Sequence, residues 1–108
     1  MNFKIINEIS YNEKNYPFAV SVWGLERIEE ATGKDLVEIA QSNKIEVSKA
    51  KIKFGLMAGA KNQKKEVTEI TDELVDDMIM NIEGLLGNAI YTYSVAFSKF
   101  YNIQEEGN

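Results

Sequence analysis

The chain has 108 residues, of which 44% are hydrophobic and 27% charged, and its formal net charge is −5. This length and apolar content predict one folded domain, 1–108, and exclude a disordered chain. Cysteine and histidine are both absent, which excludes disulfides, thiolate chemistry and imidazole as a proton carrier or metal ligand. The sequence shows neither a signal-peptide pattern nor a bilayer-spanning apolar run, so we expect a cytoplasmic protein with no membrane partner.

Residues from about 2 to 22 predict a β-hairpin. Apolar residues alternate with mostly polar neighbours on both sides of the polar turn NEKN at 12–15. They are Phe3, Ile5, Ile9 and Tyr11 before the turn, and Tyr16, Phe18, Val20 and Val22 after it. Pro17 lacks a backbone N–H, so we expect the second strand to begin near a sheet edge. Because an isolated hairpin is marginal in water, this one is expected to pack on helices or to pair with another chain.

Helical periodicity predicts five helices after the hairpin, at about 23–32, 34–42, 48–59, 71–80 and 82–101. Gly33 is expected to close the first helix in the left-handed conformation, Ser48 to cap the third and Thr71 to cap the fourth. The third helix carries two apolar stripes, which indicates contacts on more than one side. We therefore expect an α+β fold, mainly α-helical, in which the hairpin packs against a bundle of four to five helices and residues 102–108 form a frayed tail.

Two glycines, Gly84 and Gly87, lie in the first turns of the last predicted helix. Glycine in a helix interior costs about 1 kcal/mol relative to alanine. Either this helix begins near Asn88, or the glycines permit close packing.

Charge is segregated along the chain. Residues 47–65 contain six lysines and no acid, whereas residues 66–98 contain seven acids and no base. One interpretation is that two neighbouring helices present complementary faces to each other or to water. The other is a charged docking surface for a partner, where complementarity mainly sets orientation and encounter rate.

The stretch EEATGKDL at 29–36 contains a Gly-Lys pair of the kind that binds phosphate in a P-loop. A P-loop requires G-x-x-x-x-G-K-[ST], but here Ile28 replaces the first glycine and Asp35 replaces the hydroxyl residue. A carboxylate at that position would repel a phosphate. We therefore interpret Gly33 as the end of a helix and expect no cofactor.

Four acids on one predicted helix, Asp72, Glu73, Asp76 and Asp77, form two i, i+4 pairs that would hold a hard cation only weakly. Such residues more often form a solvated face, and they do not converge in a cleft as glycosidase carboxylates do. Since the chain also lacks histidine, cysteine and a nucleophile elbow, we expect no metal site, no catalytic residue and no enzyme activity.

The lysines between 49 and 65 would suit nucleic acid phosphates, which require little more than positive charge. Only Phe54 among them is aromatic, and the sequence has no convincing helix-turn-helix pattern. Nucleic acid is therefore not an expected partner.

The last predicted helix is a candidate binding surface. Tyr91, Tyr93, Phe97, Phe100 and Tyr101 place five of the eleven aromatic residues within one short stretch. Successive helical residues differ by about 100° in direction, so the five cannot all face the core, and Tyr91 and Phe100 fall towards the flanks of the apolar stripe. Aromatic residues at the rim of a core are typical of interfaces. The alternative is that they only cover the hairpin.

Several motifs follow the hairpin in a recognisable order. They are GLERIEEATGKDLVEIAQ at 24–41, LMAGA at 56–60, TDELVDDM at 71–78 and VAFSKF at 95–100. This order resembles the tail assembly chaperones of long-tailed bacteriophages and prophages, which show a glutamate-rich helix ending in Thr-Gly, a helix ending in Ala-Gly, an acidic helix and an Ala-x-x-Phe-like finish. The resemblance covers about residues 17–101 and fits best from Ala31 to Leu36 and at Ala58 and Gly59.

The resemblance implies a non-enzymatic role in the cytoplasm of a bacterial host. Chaperones of this family bind the helical tape measure protein and recruit tail tube subunits, so both are expected partners, with homo-oligomerisation left open. The expected partner-binding residues are Tyr91, Tyr93, Phe97, Phe100, Tyr101, Lys61, Lys64 and Lys65. The alternatives are a structural tail component, such as a connector or tube protein, and a small nucleic-acid-binding regulator.

Overall fold

A hairpin and five α-helices make up the described part of the chain, residues 2–101 of the computed structural model. Strand β1 (Glu8–Tyr11) pairs antiparallel with β2 (Lys14–Pro17). The helices are α1 (Val22–Thr32), α2 (Leu36–Gln41), α3 (Ile45–Asn62), α4 (Asp72–Asn81) and α5 (Leu85–Phe100), with a 3-10 turn at Val67–Glu69 before α4. The predicted α+β class, with an N-terminal hairpin ahead of helices, is confirmed. The predicted tail at 102–108 lies outside the described residues.

The hairpin is shorter than the alternating pattern predicts. Its turn consists of Asn12 and Glu13, which both have positive φ, 50° and 64°. This backbone form matches the right-handed twist of two paired strands, so Tyr11 pairs directly with Lys14 and the ladder ends with Glu8 opposite Pro17.

The residues flanking the hairpin bind helices instead of extending the ladder. The Lys4 N–H donates to Asn88 Oδ1 and the Ile6 N–H donates to Thr92 Oγ1, each at 2.9 Å, so residues 3–6 run along α5. On the other side, the Ala19 N–H donates to the Gly55 carbonyl on α3 at 3.0 Å. Alternation over these residues therefore reflects extended chain lying on helices, with one side covered and the other in water.

Two predicted helix ends are confirmed. Gly33 closes α1 with φ 71°, and its N–H donates to the Glu29 carbonyl at 2.8 Å. The Thr71 hydroxyl accepts from the Leu74 N–H at 3.1 Å and caps α4.

The predicted cap at Ser48 is wrong. Helix α3 begins at Ile45, after Lys44, which makes no side-chain capping bond. Ser48 lies buried inside the helix, and its hydroxyl has no hydrogen-bond partner within residues 2–101. The helix is longer than its capping signals indicate because Val47 and Ser48 pack into the core, and this burial outweighs local preference.

The two glycines near the start of α5 have different roles. Gly84, with φ 78°, precedes the first helical residue and is tolerated there because glycine has no Cβ. Gly87 lies inside the helix, where an added Cβ would stand 2.6 Å from Cε1 of Phe3. The last helix thus begins at Leu85, between the two predicted starts at 82 and Asn88. Gly87 allows the N-terminal segment to pack closely against this helix.

Helix α3 is the centre of the fold. It contacts α1, α4, α5, β2 and the 3-10 turn, as its two apolar stripes predict. The side chains buried around it include Ile28, Ile52, Leu56, Met78 and Tyr93. No helix within residues 2–101 has the length and hydropathy needed to cross a bilayer.

Candidate partner-binding surface

Seven exposed apolar side chains lie on α5 and on the segments beside it, and we call this set the α5 strip. Its members are Phe3, Ile5, Val22, Tyr91, Val95, Phe100 and Tyr101. Four of them are aromatic. Large apolar side chains that are contiguous and exposed are typical of sites where a protein binds another molecule.

Packing contacts and shallow grooves make the strip continuous. The rings of Phe3 and Tyr91 lie 6.2 Å apart between centroids. Ile5, Val95 and Phe100 line one groove. Phe100 also lines a second groove, together with Val22 and Tyr101. Phe100 is therefore the residue that joins the two halves of the strip.

The predicted aromatic residues divide between surface and core. Tyr91 and Phe100 are 39% and 46% exposed, and Tyr101 lies beside Phe100 in the strip. Phe97 is half-buried beneath it, with its ring 4.6 Å from that of Tyr101. The structure thus brings Phe97, Phe100 and Tyr101 together at the end of α5, whereas Tyr91 lies nine residues earlier, on the opposite side of the helix, against Phe3.

Tyr93 does not belong to this surface. It is 3% exposed, its ring meets that of Phe18 edge-on, and its hydroxyl donates to the Lys51 carbonyl at 2.7 Å. Burial raises the pKa of the Tyr93 hydroxyl well above its usual range. Tyr93 therefore holds α5 against α3 and is out of reach of a partner in this conformation.

The three predicted lysines lie elsewhere. Lys61 places its ammonium 5.4 Å from the centre of the Trp23 ring, and Lys65 lines a cleft with Tyr16 and Glu69. Lys64 is exposed after the end of α3. Across the described residues, none of these lysines lines either groove of the α5 strip. The structure therefore separates the basic part of the predicted site from the aromatic part.

Two ion pairs account for part of the charge segregation. The Lys49 ammonium lies 2.7 Å from the Asp76 carboxylate, and the Lys53 ammonium lies 2.8 Å from the Asp72 carboxylate. A hydrogen bond to Asp76 raises the pKa of Lys49, and the hydrogen bond from Lys53 lowers the pKa of Asp72. These pairs join α3 to α4, which supports complementary helix faces for these four residues. Exposed pairs of this kind contribute little to stability.

The other candidate chemistries have structural explanations. Two of the four acids considered for a cation, Asp72 and Asp76, are paired with lysines, and residues 2–101 contain no cluster of three or more acids placed to hold a metal ion. Asp35, which follows the Gly-Lys pair, accepts from the Glu38 N–H at 2.9 Å and caps α2. The stretch at 29–36 therefore marks the junction of two helices.

One lysine is fully buried. Lys51 lies in the core, where its ammonium donates to the Ser42 carbonyl at 3.2 Å, just beyond the end of α2. Its Nζ atom is 5.8 Å from the centre of the Tyr93 ring. Burial lowers the pKa of Lys51 from 10.5 to about 8. This residue is part of the fold, and a bound molecule would not reach it.

Sequence reasoning missed four members of the α5 strip. Phe3, Ile5 and Val22 were expected on hairpin strands, and Val95 was not considered for the surface. Val95 follows Tyr91 by one helical turn, so the predicted exposure of Tyr91 contained a usable signal for it. Nothing local indicates that residues 3–6 lie beside α5.

Comparisons with known protein families, with curated proteins and with solved structures give no match to this chain.

Proposed function

We propose that this protein is a non-enzymatic tail assembly chaperone of a long-tailed bacteriophage or prophage, acting in the cytoplasm of the bacterial host. The α5 strip is the surface that holds its partner polypeptide. The observation that carries the proposal is the exposure of four aromatic and three aliphatic side chains on α5 and on the segments beside it. The resemblance in motif order supplies the identity of the partners, the tape measure protein and the tail tube protein.

The shape of the α5 strip suits an amphipathic helix. Phe100 stands between two shallow grooves whose walls are largely apolar, and Leu25 and Leu36 extend the second groove. A helix with apolar residues at i, i+3, i+4 and i+7 can place side chains in both grooves at once. In the family that this chain resembles, the tape measure protein is long and helical, so it contains segments of this kind.

The motifs that carry the resemblance divide into supporting and binding positions. Gly59, in LMAGA, lies where the chain at Pro17 crosses closest to α3. The stretch VAFSKF at 95–100 supplies Val95 and Phe100 to the α5 strip and Phe97 beneath it. The final motif is thus the one that forms the proposed binding surface.

The test is a double substitution, Tyr91→Ser with Phe100→Ser. Both side chains are partly exposed and neither belongs to the buried core, so we expect the free energy of unfolding to fall by about 1–2 kcal/mol. Loss of two aromatic anchors should weaken binding at least roughly tenfold. The measurement is co-purification and calorimetric titration with fragments of the tape measure protein from the same phage or prophage.

A control uses apolar residues that are more exposed and lie outside the α5 strip. Ile45→Ser with Met80→Ser removes side chains that are 57% and 82% exposed. This variant should bind as the original protein does. Equal loss of binding in both variants, or unfolding of the Tyr91 and Phe100 variant, would show that the strip is not the binding surface.

A further inference from the structure

The two flanks of the α5 strip carry opposite charge. The groove on one side of Phe100 includes Lys99 along its wall, next to Ile5 and Val95. The groove on the other side includes Glu26 and Glu29 of α1. All three charged side chains are exposed, and none forms an ion pair with another residue in the range 2–101. The strip is therefore an apolar surface with a basic edge and an acidic edge.

This arrangement is complementary to itself. In a twofold dimer the axis lies in the plane of contact. A residue on one side of the axis in one copy therefore faces the residue that lies on the opposite side of the axis in the other copy. An axis that passes between the two edges at Phe100 places Lys99 of each copy opposite Glu26 and Glu29 of the other. The same operation brings Phe100 of one copy against Phe100 of the other, at the centre between the two edges.

We propose that, when no other partner is bound, two copies of this chain associate face to face through the α5 strip, with Lys99 of each copy opposite Glu26 and Glu29 of the other. This goes beyond the proposed function, because it makes self-association and partner binding compete for one surface. Binding of a helix to the strip would then separate the dimer.

Residues 102–108 are the other candidate occupant, since they follow directly on Tyr101. Their sequence, NIQEEGN, contains two acids and no base. It would complement Lys99 but would face Glu26 and Glu29 with like charge. A second copy satisfies both edges at once, which favours it over the tail.

The experiment is a charge exchange measured by sedimentation velocity on the full chain without any partner. Lys99→Glu places like charges at both contacts of the dimer, and so does Glu26→Lys with Glu29→Lys. Each variant alone should associate at least roughly tenfold more weakly than the original chain, because like charges across an interface oppose association. When the two variants are mixed, each contact regains opposite charges, and we expect a heterodimer of near-original affinity.

The outcomes separate the occupants. A mixture that dimerises while each variant alone is monomeric supports the proposal. An original chain that stays monomeric, variants that dimerise unchanged, or a mixture that fails to recover would overturn it. A chain that dimerises only after removal of residues 102–108 would overturn it as well, and would assign the strip to the tail. Because no tape measure protein is present, failure here leaves the proposed function standing, and a failed partner-binding test leaves the dimer standing.

Discussion

Gly59→Ala is expected to lower the free energy of unfolding by about 3 kcal/mol, near the upper end for overpacked cores. A Cβ at this position would overlap the Pro17 carbonyl and would lie 2.6 Å from the Phe18 backbone nitrogen. These are backbone atoms, so no side-chain rotation can relieve the contact. The hydrogen bond from Ala19 to Gly55 holds the same stretch of chain against α3, which leaves little room for it to withdraw.

Gly24→Ala is the matched control for this substitution. Gly24 is also a buried helical glycine, but an added Cβ there would have its nearest neighbours, the Phe54 carbonyl oxygen and the Ser21 hydroxyl oxygen, at 3.4 Å. Replacing a helical glycine also gains up to about 1 kcal/mol in helix propensity, so this variant should be neutral or slightly stabilised. Urea unfolding followed by circular dichroism measures both. Equal stability of the two variants would mean that the chain at Pro17 does not approach α3 this closely.

Lys51→Met is expected to stabilise the protein at neutral pH and to remove a pH dependence from its stability. Lys51 is completely buried, and burial lowers its pKa to about 8. A depression of that size corresponds to about 3 kcal/mol of unfavourable burial of the charged form. Methionine fills similar space without a charge, so we expect a gain of about 1–2 kcal/mol after the loss of the hydrogen bond to the Ser42 carbonyl.

The direction of the pH effect follows from the depressed pKa. Between the folded pKa, about 8, and the unfolded value, 10.5, the unfolded chain binds more protons at Lys51 than the folded chain does. Stability should therefore rise with pH, by about 1–2 kcal/mol from roughly pH 7.5 to roughly pH 9.5. Unfolding curves across this window test it. The rise should disappear in Lys51→Met and persist in Lys65→Met, which removes an exposed lysine. A rise of equal size in both variants would assign it to other groups.

The helices and the hairpin were predictable because their signals are local. Gly33 and Thr71 mark helix ends through backbone conformation and a single hydroxyl, and both act where the sequence places them. Ser48 carries a hydroxyl, as Thr71 does, but lies inside α3 because the residues around it are buried in the core. No short-range sequence pattern indicates that burial. The prediction that the strands extend beyond residues 8–17 is wrong for a related reason. Phe3 and Ile5 are exposed while Ile6 is buried, so the side that faces the protein was set by α5 and not by the turn.

The candidate surface was predictable only where one helix determines it. Helical geometry places Tyr91 off the buried stripe, and the structure finds its ring exposed. Phe100 lies two turns after Tyr93 on the same side of α5, and it is exposed because it is the last residue of the helix. Tyr93 lies two residues from Tyr91 and faces the opposite way, into the core. The remaining members of the α5 strip come from the N-terminal segment and from α1, which meet α5 only after folding. The lysines near the end of α3 do not line the grooves of the strip, and Lys61 packs on Trp23 instead.

The path of residues 3–6 along α5 has a practical consequence for affinity tags. Phe3, near the start of the described chain, is exposed and lies against Tyr91 in the α5 strip. A purification tag or fluorescent fusion joined shortly before Phe3 would therefore emerge beside the surface whose interactions are being measured. The exposed turn after α3, at residues 63–65, is a better place for a label, because none of these residues lines either groove of the strip.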